Sequence, residues 1–259
     1  MFSIWALVAC GPVKPTRSPV GESAHVSFVL DGDTVELADG RRVRYIGINT
    51  PETGQRYADE ARLLNEALVA DRDVWLETDQ DIEDDYGRLL AYVWVEDRLV
   101  NLELVEQGYA TAYMVPPNTR YAQVFARAEE VARSEERGMW ISAAERVPVR
   151  ITGLRYDGPG SDVIAPNGEW IEFSNVGDVA VDLEGYLVRD AGRHVYTFTE
   201  TLLPPGARLY LYSGRGSASE DPLERYWGLS GEAVWDNTGD SAYLQTPDGA
   251  LVDCFVYVP

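Results

Sequence analysis

The chain has 259 residues, with 22 Lys+Arg against 43 Asp+Glu and a formal net charge of −21, a length that suits one large or two ordinary domains. Hydrophobic residues at 45% and aromatics at 11% allow real cores and exclude wholesale disorder, while this acidity argues against non-specific nucleic-acid binding through a basic face and suits solubility in concentrated salt. With one lysine (Lys14), two histidines (His25, His194) and two cysteines (Cys10, Cys254), lysine-centred chemistry, Ser-His-Asp triads, His/Cys zinc sites and disulfide scaffolds have almost nowhere to sit, so catalysis has to rest on carboxylates and arginines.

In chain order, residues 1–9 (MFSIWALVA) are apolar and end at Cys10-Gly11. The string LVAC-G resembles a lipoprotein signal whose cysteine becomes the acylated first residue; an apolar N-terminal strand is the other reading. GPVKPTRSPVGES then reads as an extended surface tether. One acyl chain without a basic patch holds weakly, so stable anchoring needs two or more on Cys10. No later run reaches the roughly 18 apolar residues of a membrane span.

From Ala24 to Ile48 apolar and polar positions alternate around the turn signals Asp31-Gly32 and Asp39-Gly40, which predicts a three-strand meander. YADEARLLNEALVADR has the period of an amphipathic helix. VWLET and RLLAYVWV read as strands separated by the acidic loop DQDIEDDYG. Two helices follow, VNLELVEQ closed by Gly108 and YAQVFARAEEVARSEER stopped at Gly138. Five strands with helices after them predict a small antiparallel barrel carrying peripheral helices, an α+β unit.

After Trp140 the helical period vanishes, apart from a weak trace near DPLERYW. VRITGLRY, EWIEFSN, GYLVRD, HVYTFT, ARLYLYS, SAYLQT and LVDCFVY are short, aromatic and bounded by Gly, Pro, Asn or Asp. They predict an all-β sandwich of the immunoglobulin type. The chain thus divides into a signal and tether (1–23), a barrel domain (24–146) and a sandwich (147–259), with acidity spread over both domains.

Three segments concentrate groups that can do chemistry. Asp31-Gly32-Asp33-Thr34 sets two acids at a tight turn, where they offer a hard cation oxygen ligands. Arg44 to Ile48 is a strand that ends at Asn49-Thr50-Pro51, and Pro51 presents Glu52 on a loop. Asp85-Tyr86-Gly87-Arg88 places an arginine at the start of the next strand. Taken singly, DGDT is usually a hairpin turn, Arg44 a surface strand residue and Asp81 to Asp85 a solvated loop.

The motifs DGDT, VRYIGINTPE, DDYGRLLAYVW, VNLELVEQGYA and PPNTRYAQVFARAEEVARSEERGMW occur in this order, and together they closely resemble the staphylococcal nuclease family over about residues 24 to 141. The resemblance implies an oligonucleotide-binding-fold barrel and a calcium-dependent phosphodiesterase that cleaves DNA and RNA. It implies Asp33 and Asn49 as calcium ligands, with Thr50 giving its backbone carbonyl. It implies Glu52 as general base and Arg44 and Arg88 as the phosphate-holding pair; Tyr86 and Tyr113 read either as substrate-binding rings that stack on a base or as packing of the barrel rim, and the family has a nucleotide-contacting tyrosine about one residue out of register with Tyr113. The residue types suit the chemistry: calcium prefers oxygen ligands in a loose shell, a positioned carboxylate contributes roughly 10² to 10⁴-fold, and an arginine fork matches two phosphate oxygens. The family usually has Asp where this chain has Asn49. The site thereby loses one negative charge, so weaker calcium binding is expected, with Asp31 partly compensating.

Residues 148 to 258 resemble a lamin-tail domain through EWIEFSNVGDVAVDLEGYLVRD, LLPPGARLYLYSGRG and VWDNTGD before the last hairpin. That implies an immunoglobulin-like sandwich and no reaction. His194 reads as a strand residue, Trp170, Trp227 and Trp235 as packing, and Cys254 as a free thiol. The expectation is an extracellular or cell-surface nuclease, tethered through a lipid on Cys10, with DNA or RNA as substrate and a sandwich that binds or targets through a partner the sequence does not name. The alternative is a nuclease-like binding or adhesion protein whose weakened metal site no longer cleaves.

Overall fold

The computed structural model describes residues 15–140, 147–158, 166–192, 194–216 and 222–258; the signal, Cys10 and Lys14 lie outside the described residues. The first half contains β1 (Glu22–Val29), β2 (Thr34–Leu37), β3 (Arg42–Tyr45), β4 (Ile48–Asn49), α1 (Ala58–Val69), β5 (Asp73–Glu77), β6 (Leu89–Val95), β7 (Arg98–Leu99), α2 (Val100–Glu106), β8 (Thr111–Ala112) and α3 (Ala122–Ser134). The meander and the three helices follow the predicted pattern.

Strands β1, β2 and β3 pair antiparallel, β5 takes the other edge of β1, and β6 joins both β5 and, in parallel, β3. The ring is closed, which removes the open edges that a five-strand sheet would expose. Its interior is filled by Val26, Val35, Val43, Tyr45, Leu76 and Val93, and Leu104 of α2 and Phe125 of α3 pack beside them. Two glycines are needed where they stand. A Cβ on Gly32 would sit 2.7 Å from Thr50 Cγ2 and 2.8 Å from Ala61, so the β1–β2 turn touches α1 and the β4 exit only because no side chain intervenes. Gly47 turns the chain at φ 79 and its missing Cβ leaves room for the Phe125 ring.

The second half contains β9 (Val149–Arg155), β10 (Trp170–Asn175), β11 (Val181–Asp182), β12 (Leu187–Arg189), β13 (Val195–Thr197), β14 (Leu202–Leu203), β15 (Arg208–Tyr212), β16 (Glu224–Tyr226), β17 (Asp240–Gln245) and β18 (Leu251–Tyr257). One sheet runs β16-β15-β10-β9 and the facing sheet β13-β12-β17-β18, with β11 and β14 paired apart. Between the sheets lie Ile171, Phe173, Val188, Phe198, Leu211 and Trp235, all buried. The faint helical period near DPLERYW is overturned: Glu224–Tyr226 is an edge strand parallel to β15, where the Tyr226 and Tyr212 rings stack 5.4 Å apart. Cys254 is a free, buried thiol.

The two halves are bonded to each other. Tyr243 of β17 donates to the Ala112 carbonyl at 2.9 Å, and Met114 N donates to Ser241 Oγ at 2.9 Å. Arg133 of α3 pairs with Asp253 and donates to the Cys254 carbonyl, while the Cys254 thiol donates to Glu129 at 3.2 Å. A small core of Ala132, Trp140, Tyr243 and Cys254 closes around these bonds. The end of the tether is also held, because Ser18 N donates to the buried Glu77 and Arg17 lies over the Trp75 ring.

Candidate active site

The β1–β2 turn and the β3–β4 exit meet at one end of the barrel. Thr34 is the register partner of Arg44, and Arg44 is in turn the parallel partner of Leu90. Paired residues share a sheet face and alternate residues return to it, so Arg88, two positions before Leu90, is placed on the face that carries Arg44. Asp33 Oδ2 accepts both Thr50 N at 2.7 Å and Thr50 Oγ1 at 2.9 Å, which ties the turn to the end of β4. Asn65 on α1 secures the same turn from behind: it donates to the Asp31 carbonyl at 3.0 Å and accepts the Tyr45 hydroxyl at 2.9 Å.

Arg44 Nε stands 3.1 Å from Asp33 Oδ1, and its Nη2 donates to Asn49 Oδ1 at 3.0 Å. Its Nη1 donates to the Ile48 carbonyl at 2.9 Å, so the fork is held by backbone as well as by side chains. Burial first, and then the charge of Asp33, push the Asp31 carboxyl above its ordinary value. The turn therefore holds two acids and one arginine, an arrangement that a further cation would relieve. Among the described residues no group of three or more His, Cys, Asp and Glu side chains is gathered for a metal; the oxygen donors here are the carboxylates of Asp31 and Asp33 and the Asn49 amide.

Arg88 donates through Nε to Asp84 Oδ2 at 2.8 Å and lies over the Tyr86 ring. Asp84 also accepts the Arg88 and Tyr86 backbone N–H groups. Burial pushes this carboxyl up, but the bonds from Arg88 and Tyr86 outweigh it and hold the carboxyl below its ordinary value. The acidic run is thus more than a solvated loop: Asp84 orients Arg88, and Asp81 exchanges two backbone bonds with the Asn118 amide. Tyr86 is 85% exposed.

A cleft of about 520 Å³ gathers Asp31, Asp33, Arg44, Asn49, Glu52, Tyr86, Arg88 and Tyr113. Thr50 is buried beside it, behind Asp33. Glu52 is exposed, and its backbone N–H is fixed by Gln55 at 2.8 Å. The Tyr113 hydroxyl donates to the Ala191 carbonyl of the sandwich at 2.5 Å. Burial pushes that hydroxyl up in spite of the opposing charges of Arg44 and Arg189.

Sequence reasoning missed two kinds of residue. Asn65 was hidden as a polar position in an amphipathic helix, although an amide on the core side of such a helix is itself a signal of a buried partner. Arg189, Asp190, Tyr243 and Gln245 line the same cleft from the sandwich, and nothing in their local sequence pointed there.

A family model described as staphylococcal nuclease homologue matches residues 42–142, and one described as lamin tail domain matches residues 142–259. The chain is 38% identical over 140 residues to a thermonuclease of Staphylococcus intermedius, covering 50% of this chain and 83% of that protein. A thermonuclease of Staphylococcus hyicus is 33% identical over 151 residues, covering 54% of this chain and 89% of its own length. The endonuclease YncB of Bacillus subtilis is 38% identical over 122 residues, which is 43% of this chain and 58% of that protein. All three likenesses leave about half of this chain uncovered.

Proposed function

The chain belongs to the staphylococcal nuclease homologue family, and from that membership and the geometry of the cleft we propose that it is a calcium-dependent phosphodiesterase that hydrolyses DNA or RNA outside the cytoplasm. The observation that carries the reading is the convergence of Arg44, Arg88 and Glu52 with the Asp31–Asp33 turn on one cleft. The arginines grip the phosphate and stabilise charge as it develops on the phosphoryl oxygens. Glu52, exposed on a loop whose backbone Gln55 fixes, accepts the proton of the attacking water.

The donors fit calcium. They are oxygens only, and two carboxylates, Asp31 and Asp33, share the turn with the single guanidinium of Arg44. Asp33, Asn49 and the Thr50 carbonyl would hold the ion, with Asp31 at its side. Bound calcium supplies polarisation of the phosphoryl oxygen and lowers the pKa of water. The Asn49 amide is neutral, so the site should need more calcium than a three-carboxylate site would.

Export and lipid anchoring through Cys10 are part of the proposal and rest on the LVAC-G string; mass spectrometry of the native N-terminus tests them. A second reading, a binding protein that no longer cleaves, draws on the Arg44–Asn49 bond, which occupies an oxygen the metal would use. Digestion of DNA and RNA across a calcium titration separates the two. Cleavage that rises with calcium supports the nuclease, and absence of cleavage at high calcium supports the binding protein.

A further inference from the structure

We propose that the sandwich is part of the active site and that Arg189, at the end of β12, binds a phosphate of the nucleic-acid strand beside the one being cleaved. The inference rests on the nuclease reading for the identity of the strand. Arg189 is exposed and lines the cleft that holds Arg44 and Arg88. Those two arginines are already committed, to Asp33 and to Asp84. Among the described residues Arg189 has no ion-pair partner, although carboxylates outnumber cations about two to one in this chain. An unpaired guanidinium in a cleft with phosphate-binding chemistry is suited to a second phosphate, which its planar fork can take by two oxygens.

Its position is fixed by the contacts between the domains. Register pairs Arg189 with Tyr243, and the Tyr243 hydroxyl is anchored on the Ala112 carbonyl at 2.9 Å. Two residues beyond Arg189, the Ala191 carbonyl accepts the Tyr113 hydroxyl and the Ala191 N–H donates to Asp240 at 3.1 Å. Met114, one residue after Tyr113, is held by Ser241. The strand end bearing Arg189 is therefore bolted to the cleft wall bearing Tyr113, and ordering that segment costs little when substrate arrives. A sandwich that served only to bind elsewhere would have no need to present an unpaired cation to this cleft.

The test compares the full chain with Arg189→Ala and Arg189→Lys, with thermal melting to check that each folds. Steady-state cleavage is measured on a short single-stranded DNA and on the minimal diester bis(p-nitrophenyl) phosphate, which offers no flanking phosphate. Binding of a fluorescein-labelled strand is measured by anisotropy in calcium, in a Glu52→Gln background. For Arg189→Ala we expect KM for the DNA to rise on the order of tenfold, as loss of one charged contact implies, with kcat and hydrolysis of the minimal diester unchanged. Affinity should fall less, or rise more, with added salt in Arg189→Ala than in wild type, by about 0.7 in the slope against log salt concentration, the value of one phosphate contact on a single strand, and Arg189→Lys should recover part of the affinity. Equal KM, Kd and salt slope in Arg189→Ala and wild type would overturn the proposal. If wild type cleaves neither substrate, the nuclease reading fails, and the anisotropy comparison still decides whether Arg189 binds the strand.

Discussion

Arg44 and Asp33 are bonded to each other at 3.1 Å, so the cation assigned to the substrate phosphate and the carboxylate assigned to the metal neutralise one another in the free protein. The same guanidinium donates to Asn49. Under the proposed function, calcium and phosphate together would resolve this pairing, the Asp33 and Asn49 oxygens turning to the metal and the Arg44 guanidinium to the phosphate. Metal and substrate should therefore bind with positive coupling, each releasing the partner that the other needs.

Removing Arg44 separates its two effects. Arg44→Ala should lower kcat by roughly 10³-fold or more, in line with other arginines that stabilise phosphoryl-transfer transition states. The same variant should bind calcium several-fold more tightly, since a positive neighbour of Asp33 is gone and Asn49 is freed. Calorimetric titration with calcium checks the second effect independently of catalysis; weaker calcium binding would show that Arg44 organises the donors instead of competing with the metal.

Asn49→Asp puts a carboxylate at the position proposed to hold the metal. The calcium concentration for half-maximal cleavage should fall by about tenfold, because affinity follows ligand charge. Cleavage rates across a calcium series give this directly, and an unchanged midpoint would remove Asn49 from the metal site.

The net charge of −21 repels a polyanion, and salt screens that repulsion over a Debye length of about 10 Å at 0.1 M. Cleavage of DNA should persist or rise between low and moderate ionic strength, in contrast to proteins that approach nucleic acid through a basic face. A steep fall in kcat/KM over that range would reveal a basic track beyond the three arginines of the cleft.

His25 on β1 lies between Asp73 and Asp71, and its bonds to Asp73 and then Asp71 raise its pKa above the ordinary 6.5. A raised value in the folded state means that the stabilisation is fully present below pH 6.5 and is lost as pH climbs through the folded value. The Tm of wild type should therefore decline more between pH 6 and pH 8 than that of His25→Gln. Parallel Tm curves for the two proteins would show that the contacts contribute nothing measurable.

The barrel was legible because its strands alternate and its turns are punctuated by Asp-Gly, whereas Asp33, Arg44, Glu52 and Arg88 were legible as one cluster only through the resemblance carried by their motifs together, since each segment alone reads as a turn, a strand or a loop. The sandwich was legible in outline, but β11 and β14 are two residues long and Glu224–Tyr226 is an edge strand whose partner, β15, defines it more than its own pattern does. The sandwich wall of the cleft was not legible at all. It depends on bonds such as Tyr113 to Ala191 and Tyr243 to Ala112, which join residues far apart in sequence, and no local periodicity records a contact between domains.

In the proposed reaction Glu52 acts on water beside a phosphate held by Arg44 and Arg88, so its carboxylate is needed for chemistry and not for binding. Single-turnover cleavage of a labelled single strand by wild type and Glu52→Gln at saturating calcium tests it most directly. Wild type should cleave, and Glu52→Gln should lose roughly 10² to 10⁴-fold in rate while binding the strand and calcium as wild type does. Full activity in Glu52→Gln, or no cleavage by wild type at any calcium concentration, would contradict it.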